Sequence, residues 1–264
     1  MDCEPGEINN RIPGCRAVHA DLGTFFREAL AYFESQPVME RPAWHEQIRR
    51  QREAWPDIRE RGDIPGIDPN AFMHQLAGRF PEVAAFVVDV GQHQMWAAQS
   101  LEIGPAHRFL TCGGMGAMGY ALPAAIGASV GMGGAPVLMI AGDGGFQCNI
   151  QELQTMVRNS LPVKMVIVNN RCLGMVRQFQ ESYFEGRYQS TLWGYSAPDF
   201  AQVARAFGIP ARTLADPEDT AEALDWLAAG GAALLQVMVD PGENVHPKLA
   251  FGSPIGEMEP FARP

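Results

Sequence analysis

Four short apolar runs constrain this chain more than any other feature: Ala84–Val90, Pro136–Ala141, Val163–Val168 and Leu234–Val239. Each is too short for a helix buried on all sides and shows almost no polar alternation, so each suits a strand covered on both faces. Around them lie stretches with helical spacing, Ala121–Val130, Ile150–Asn159, Pro198–Phe207 and Pro217–Ala229. Strand, crossover helix and strand again predict an α/β fold, a parallel sheet with helices on both faces. Ligands of such sheets sit at the carboxyl ends of the strands, so the residues just after each run are where function is expected.

The chain has 264 residues, 47% hydrophobic and 19% charged, which suits one large α/β domain and excludes wholesale disorder. A formal charge of −10 without any strongly basic stretch argues against nucleic acid as a partner. Cys3, Cys15, Cys112, Cys148 and Cys172 form neither a CxxC pair nor a zinc spacing, and their odd number argues against a disulfide framework. The start, Met1-Asp2-Cys3-Glu4-Pro5, does not read as a signal peptide, and the expected compartment is cytoplasmic. Phe109 to Gly142 carries no charge, but its many Gly with Pro123 and Pro136 make it buried core rather than a membrane span. Residues 1–60 read as a lead-in, with a helix over Asp21–Phe33 and a charged surface helix over Arg41–Arg61 whose Trp44 and Trp55 are expected to pack inward. A turn-rich stop at Ile64–Pro69 and a helix over Asn70–Gly78 open the main domain, 61–264.

Four polar or Gly-rich loops follow the runs that begin at Ala84, Arg108 (Arg108–Thr111), Pro136 and Val163: Asp89–Trp96, Cys112–Gly119, Gly142–Gln147 and Asn169–Met175. Gly114–Gly119 fits G-x-G-x-x-G, but a dinucleotide site needs an acid about 20 residues on. No Asp or Glu lies between Glu102 and Asp143, so that reading is set aside. The Asp143 loop says more. Gly142 and Gly144 flank Asp143 and let backbone approach a ligand, while the carboxylate offers a hard oxygen. The spacing from Gly144 to Asn169-Asn170 leaves room for one helix and the next parallel strand, which a right-handed crossover sets beside Asp143. An Asp carboxylate with an Asn amide oxygen suits Mg²⁺, which takes its other ligands from phosphate and water. Gly144 and Gly145 can offer backbone N–H groups to that phosphate.

GDG-x24-NN is the thiamine diphosphate signature. The stretches DVGQHQMWAAQ, TCGGMGAMGYALPAAIGA, GDGGFQCNIQEL and LPVKMVIVNNRCLGMVRQFQE, with Phe184 to Thr191, resemble the C-terminal cofactor domain of the acetolactate synthase large subunit family. The match runs over about residues 65–240, and residues 1–35 resemble the tail of that family's central domain. The resemblance implies a thiamine diphosphate-binding fold with thiamine diphosphate and Mg²⁺ as cofactors. It implies that Asp143, Asn170 and the backbone carbonyl of Cys172 ligate the metal, and that Gly142, Gly144, Gly145, Gly174 and Met175 bind cofactor. It puts Met118 under the cofactor, the Gly116 carbonyl against its aminopyrimidine, and Gln92 and His93 at the active-site mouth. Phe179 stands where the family usually has Trp and shapes the acceptor pocket.

Cys112 stands where Ser is common, and the tail His246–Gly252 differs from the usual ending. Family members are substantially longer, with an N-terminal pyrimidine-binding domain and a central domain that binds FAD in some of them. The Glu that protonates the aminopyrimidine belongs to the former. The expectation is the cofactor-binding subunit of a split, acetolactate synthase-like enzyme, which decarboxylates a 2-keto acid, pyruvate first, and ligates the two-carbon unit to an acceptor. Its expected partner is a pyrimidine-domain chain supplying that Glu, in a hetero-oligomer, with no membrane involved. The alternative is a non-catalytic truncated paralogue that binds cofactor or a partner for regulation or scaffolding.

Overall fold

Leu22–Ser35 (α1) begins where Asp21 accepts from the Thr24 N–H, and Pro42–Ala54 (α2) stops before Trp55-Pro56. A residue preceding proline disfavours helical backbone, which ends α2 well short of Arg61. The computed structural model describes residues 1–10, 12–36, 38–58, 64–250, 252–254 and 257–259. It divides into two units, Met1–Ala54 and Trp55–Pro264. The boundary expected at 60/61 falls within 59–63, outside the described residues. Neither α1 nor α2 buries a residue. Trp44 and Trp55 do not pack inward as expected: they are 58% and 43% exposed. Trp55 lies past the end of α2, and within α2 Trp44 finds only Ile48 one turn on, a stripe too short to build a core, while Arg49 and Arg50 pair with Glu46 and Glu53 on the other face.

The second unit runs α3 (Pro69–Arg79), β1 (Ala85–Val88), α4 (Gln92–Ser100), β2 (Arg108–Thr111), α5 (Ala121–Gly131), β3 (Val137–Gly142), α6 (Asp143–Cys148), α7 (Leu153–Arg158), β4 (Val163–Asn169), α8 (Gly174–Tyr183), α9 (Phe200–Ala206), β5 (Ala211–Leu214), α10 (Thr220–Ala228) and β6 (Ala233–Met238). All six strands are parallel, in the order β2-β1-β3-β4-β6-β5. The four apolar runs are β1, β3, β4 and β6, the inner strands. Alternate side chains feed two cores: Phe86, Val88, Leu138 and Ile140 on one face, Ala85, Val87, Val137 and Met139 on the other. The uncharged stretch from Phe109 becomes most of β2, a loop, α5 and β3. Among the described residues no helix is long and apolar enough to cross a membrane.

The chain leaves β1 for the edge strand β2 and returns to β3 on β1's other side, so strand order reverses between β1 and β3. That reversal opens a crevice at the carboxyl ends of the strands, the usual ligand position in open parallel sheets. Three expected loops hold helix there: Gly142–Gln147 is almost wholly α6, and two others are partly helix. Gly91, at φ 153, starts α4, and α8 starts at Gly174 straight after the Asn169–Leu173 turn.

Candidate active site

A cleft of about 430 Å³ opens where β1, β3 and β4 end. Its wall is built from Val90–His93 after β1, Gly142 and Asp143 with Gly145 after β3, and Asn170 with Cys172–Val176 after β4; Met118 reaches it from the loop before α5. Asp143 is the centre of this wall. Its Oδ1 accepts from the Gly144 N–H at 2.9 Å, while Oδ2 is buried without a hydrogen-bond partner. Burial, opposed first by that Gly144 bond, pushes the carboxyl up to about 6. A buried carboxylate oxygen left unsatisfied calls for a cation or a proton. Among the described residues no three or more His, Cys, Asp and Glu side chains gather into a metal-holding group. The Asp143 carboxylate and the Asn170 side-chain amide, both on this wall, offer oxygens, hard donors that fit Mg²⁺ rather than a soft metal.

Asn169 and Asn170 shape the turn that follows β4. Asn169 Oδ1 accepts from the Arg171 N–H at 3.0 Å and Asn170 Oδ1 from the Cys172 N–H at 3.3 Å, with Arg171 held at φ 55. Asn170 Nδ2 donates to Gln92 Oε1 at 2.9 Å. The Cys172 thiol is buried, donates to the Pro241 carbonyl at 3.7 Å and is pushed up to about 11 by that burial, so it packs as a neutral thiol. His93 is buried as well, its Nε2 unpartnered, and burial pulls it down to about 4, so the ring is neutral. It fills the space that Gly91 and Gly142 leave open: a Cβ on Gly142 would stand 2.8 Å from His93 Nδ1.

The region Asp89 to Val237 matches the family model "Thiamine pyrophosphate enzyme, C-terminal TPP binding domain", over residues 89–237. The chain belongs to this family. It is 38% identical to the acetolactate synthase large subunit of Pyropia yezoensis, over 100% of this chain and 45% of that protein. It is 37% identical to the acetolactate synthase isozyme 2 large subunit of Escherichia coli (strain K12), over 98% of this chain and 46% of that one. The chain thus spans a little under half the length of the curated relatives it matches. Among solved structures, the thiamine diphosphate-dependent 4-hydroxybenzoylformate decarboxylase of Rhodococcus jostii RHA1 shares the fold, at TM-score 0.59 and 24% identity over 66% of this chain and 33% of that one.

The cleft gathers Gln92, His93, Met118, Gly142, Asp143 and Gly145 with Asn170, Cys172, Gly174 and Met175. Gly116, Gly144 and Phe179 are not on its wall. Gly144 donates its N–H to Asp143, so that group is already committed. What its missing side chain provides is room, since a Cβ would meet Leu173 Cδ2 at 2.5 Å and Met118 Cε at 3.2 Å. Gly116 turns the loop at φ 65 and donates to the Cys112 carbonyl. Phe179 lies on α8, 41% exposed, its ring against Tyr183 at 4.7 Å.

Three functional neighbours escape a motif reading. The Tyr195 hydroxyl accepts from Gln147 Nε2 at 3.1 Å above Gly144. Gln178 reaches the cleft's buried amides from α8. Asp89, buried at the end of β1, accepts from the Gly119 and Ala121 N–H groups and so anchors the Met118 loop against α6. Its place straight after an apolar run is the signal that could have found it. Gly145 exists for this anchor, because a Cβ there would lie 1.9 Å from Asp89 Oδ2. Gly145→Ala should lower stability by about 1–3 kcal/mol, the usual cost of overpacking. Gly127→Ala in α5, with nothing within 4 Å of its Cβ position, should be neutral or gain up to about 1 kcal/mol. Urea midpoints decide the pair, and equal midpoints would remove the Asp89–Gly145 contact from this account.

Proposed function

We propose that these residues are the cofactor-binding part of an acetolactate synthase-like enzyme. It decarboxylates a 2-keto acid, pyruvate first, and joins the two-carbon unit to an acceptor. The buried, unpartnered Asp143 Oδ2 at the carboxyl edge of the sheet carries this reading. Asp143 and Asn170 Oδ1, with the Cys172 carbonyl, would hold Mg²⁺, and Gly142, Gly145, Gly174 and Met175 would line the diphosphate. When bound, thiamine diphosphate supplies the electron sink that 2-keto acid decarboxylation requires. Met118, 41% exposed with its methyl near Gly144, offers an apolar support at the open side of the cleft. His93, neutral and wedged under Gly142, keeps positive charge off the cleft floor. The aminopyrimidine half would be met by a pyrimidine-binding domain outside these residues, which also supplies the Glu; in a split enzyme that domain is a partner chain. Relatives named acetolactate synthase large subunits support the reaction class.

Phe179 extends the reading to specificity. Its ring and those of Tyr183 and Phe184 form an aromatic cluster at the end of α8. If Phe179 shapes the acceptor pocket, Phe179→Trp should shift the product ratio between two competing 2-keto acid acceptors by about tenfold to a hundredfold, the scale of a small change in an apolar pocket. Donor decarboxylation should change much less. A ratio left unmoved would take Phe179 out of the pocket.

A further inference from the structure

We infer that Gln92 is a positioning residue for the cation site: with the Cys172 N–H, it fixes which end of the Asn170 side-chain amide faces the cation. The inference rests on the reading of Asp143 and Asn170 as cation ligands. An asparagine binds a cation only through Oδ1, yet its amide is nearly symmetric in shape, so its polarity must be set by its neighbours. Backbone groups can set it, because a carbonyl only accepts and an N–H only donates. The Val245 N–H donates to Gln178 Oε1 at 2.9 Å, and the Val245 carbonyl accepts from Gln178 Nε2 at 2.9 Å. Gln178 therefore has one allowed orientation. Gln178 Oε1 and the Glu243 carbonyl, each at 3.1 Å, then take the two protons of Gln92 Nε2. This leaves Gln92 Oε1 to accept from Asn170 Nδ2 at 2.9 Å, and Asn170 Oδ1 is the end left for the Cys172 N–H and a cation.

The relay is buried and closely fitted. Gln92, Asn170 and Gln178 are all buried. A Cβ at Gly174 would stand 1.9 Å from Gln92 Oε1 and 2.6 Å from Asn170 Nδ2, so only glycine lets the two amides meet. Polarity thus passes from the chain after β6, through three side-chain amides, to the cation site.

The test measures the Mg²⁺ concentration that half-saturates calorimetric uptake of thiamine diphosphate by the full chain. Gln92→Met keeps the length and removes the amide, and should raise that concentration about tenfold to a hundredfold, the usual effect of losing a partner that orients a metal ligand. In an Asn170→Asp background the two oxygens are equivalent and polarity is no longer at stake. There Gln92→Met should raise the requirement no further, whereas a general packing defect would raise it in both backgrounds. A rise of equal size in both, or none in the wild-type background, overturns the inference. If Gln92→Met does not fold, Gln178→Met decides. Because the Glu243 carbonyl still holds Gln92, a rise smaller than tenfold supports the relay and no rise overturns it. A wild-type chain without Mg²⁺-dependent uptake, or an Asp143→Ala variant with undiminished uptake, would instead sink the reading of the site itself.

Discussion

Asp143→Ala is expected to abolish the stabilisation that Mg²⁺ with thiamine diphosphate gives the wild-type protein against heat. A ligand that binds only the folded state raises stability by about 2.7 kcal/mol at a hundred times its dissociation constant, so the wild-type shift is easily read. Without the carboxylate, two donors remain, an amide oxygen and a backbone carbonyl, neither of which carries charge to balance a cation on a diphosphate. Affinity should fall on the order of a hundredfold or more, beyond the loss of a merely orienting partner. The unliganded variant should unfold at about the temperature of the wild type, because losing the acceptor of the Gly144 N–H is offset by losing a buried oxygen that has no partner. A variant that still gains the full shift would place the cation elsewhere. One that unfolds earlier without ligand would show Asp143 to be structural.

The second large effect is on turnover. Asp143 is the one carboxylate on the cleft wall among the described residues, and the cation reading commits it. His93 is buried and neutral, pulled down to about 4 by burial. No group on that wall is thus placed to pass a proton to or from an aminopyrimidine. The loop that would meet a second domain is open, with Met115 at 89% and Met118 at 41% exposure. These 264 residues alone should therefore decarboxylate pyruvate far below about 1 per second, the low end of ordinary enzyme turnover. Adding a protein that carries a pyrimidine-binding domain with its Glu should restore turnover into that range. Turnover near 1 per second by these residues alone would contradict the need for that domain.

The inner strands were legible because burial on both faces leaves a continuous apolar run that few other structures tolerate. The edge strands were less so: β2, partly exposed throughout, showed only as the short run Arg108–Thr111, and β5, which turns Arg212 and Thr213 outward, did not show. Their sequences carry half the signal. The helices α4, α6 and α8 hid for a different reason, as their first turns hold Gln92, His93, Asp143, Gly145 and Gly174, residues set by the cleft and not by helical propensity. At the site, Asp143 and Asn170 could be found because a strand end and a crossover length fix where such residues land. Asp89, Tyr195 and Gln178 act through contacts across the chain, such as Gln178 with Val245, which spacing along one segment cannot display. Trp44 and Trp55 failed as core residues because apolar character alone does not bury a side chain without a longer apolar stripe around it.

The central claim is that these residues hold the diphosphate through a cation at Asp143 and Asn170. Calorimetric titration of thiamine diphosphate into the wild-type protein, once with Mg²⁺ and once with a chelator in its place, tests it most directly. The account predicts saturable uptake with Mg²⁺ and its loss with the chelator. Uptake that is equally tight in both, or absent in both, would contradict it.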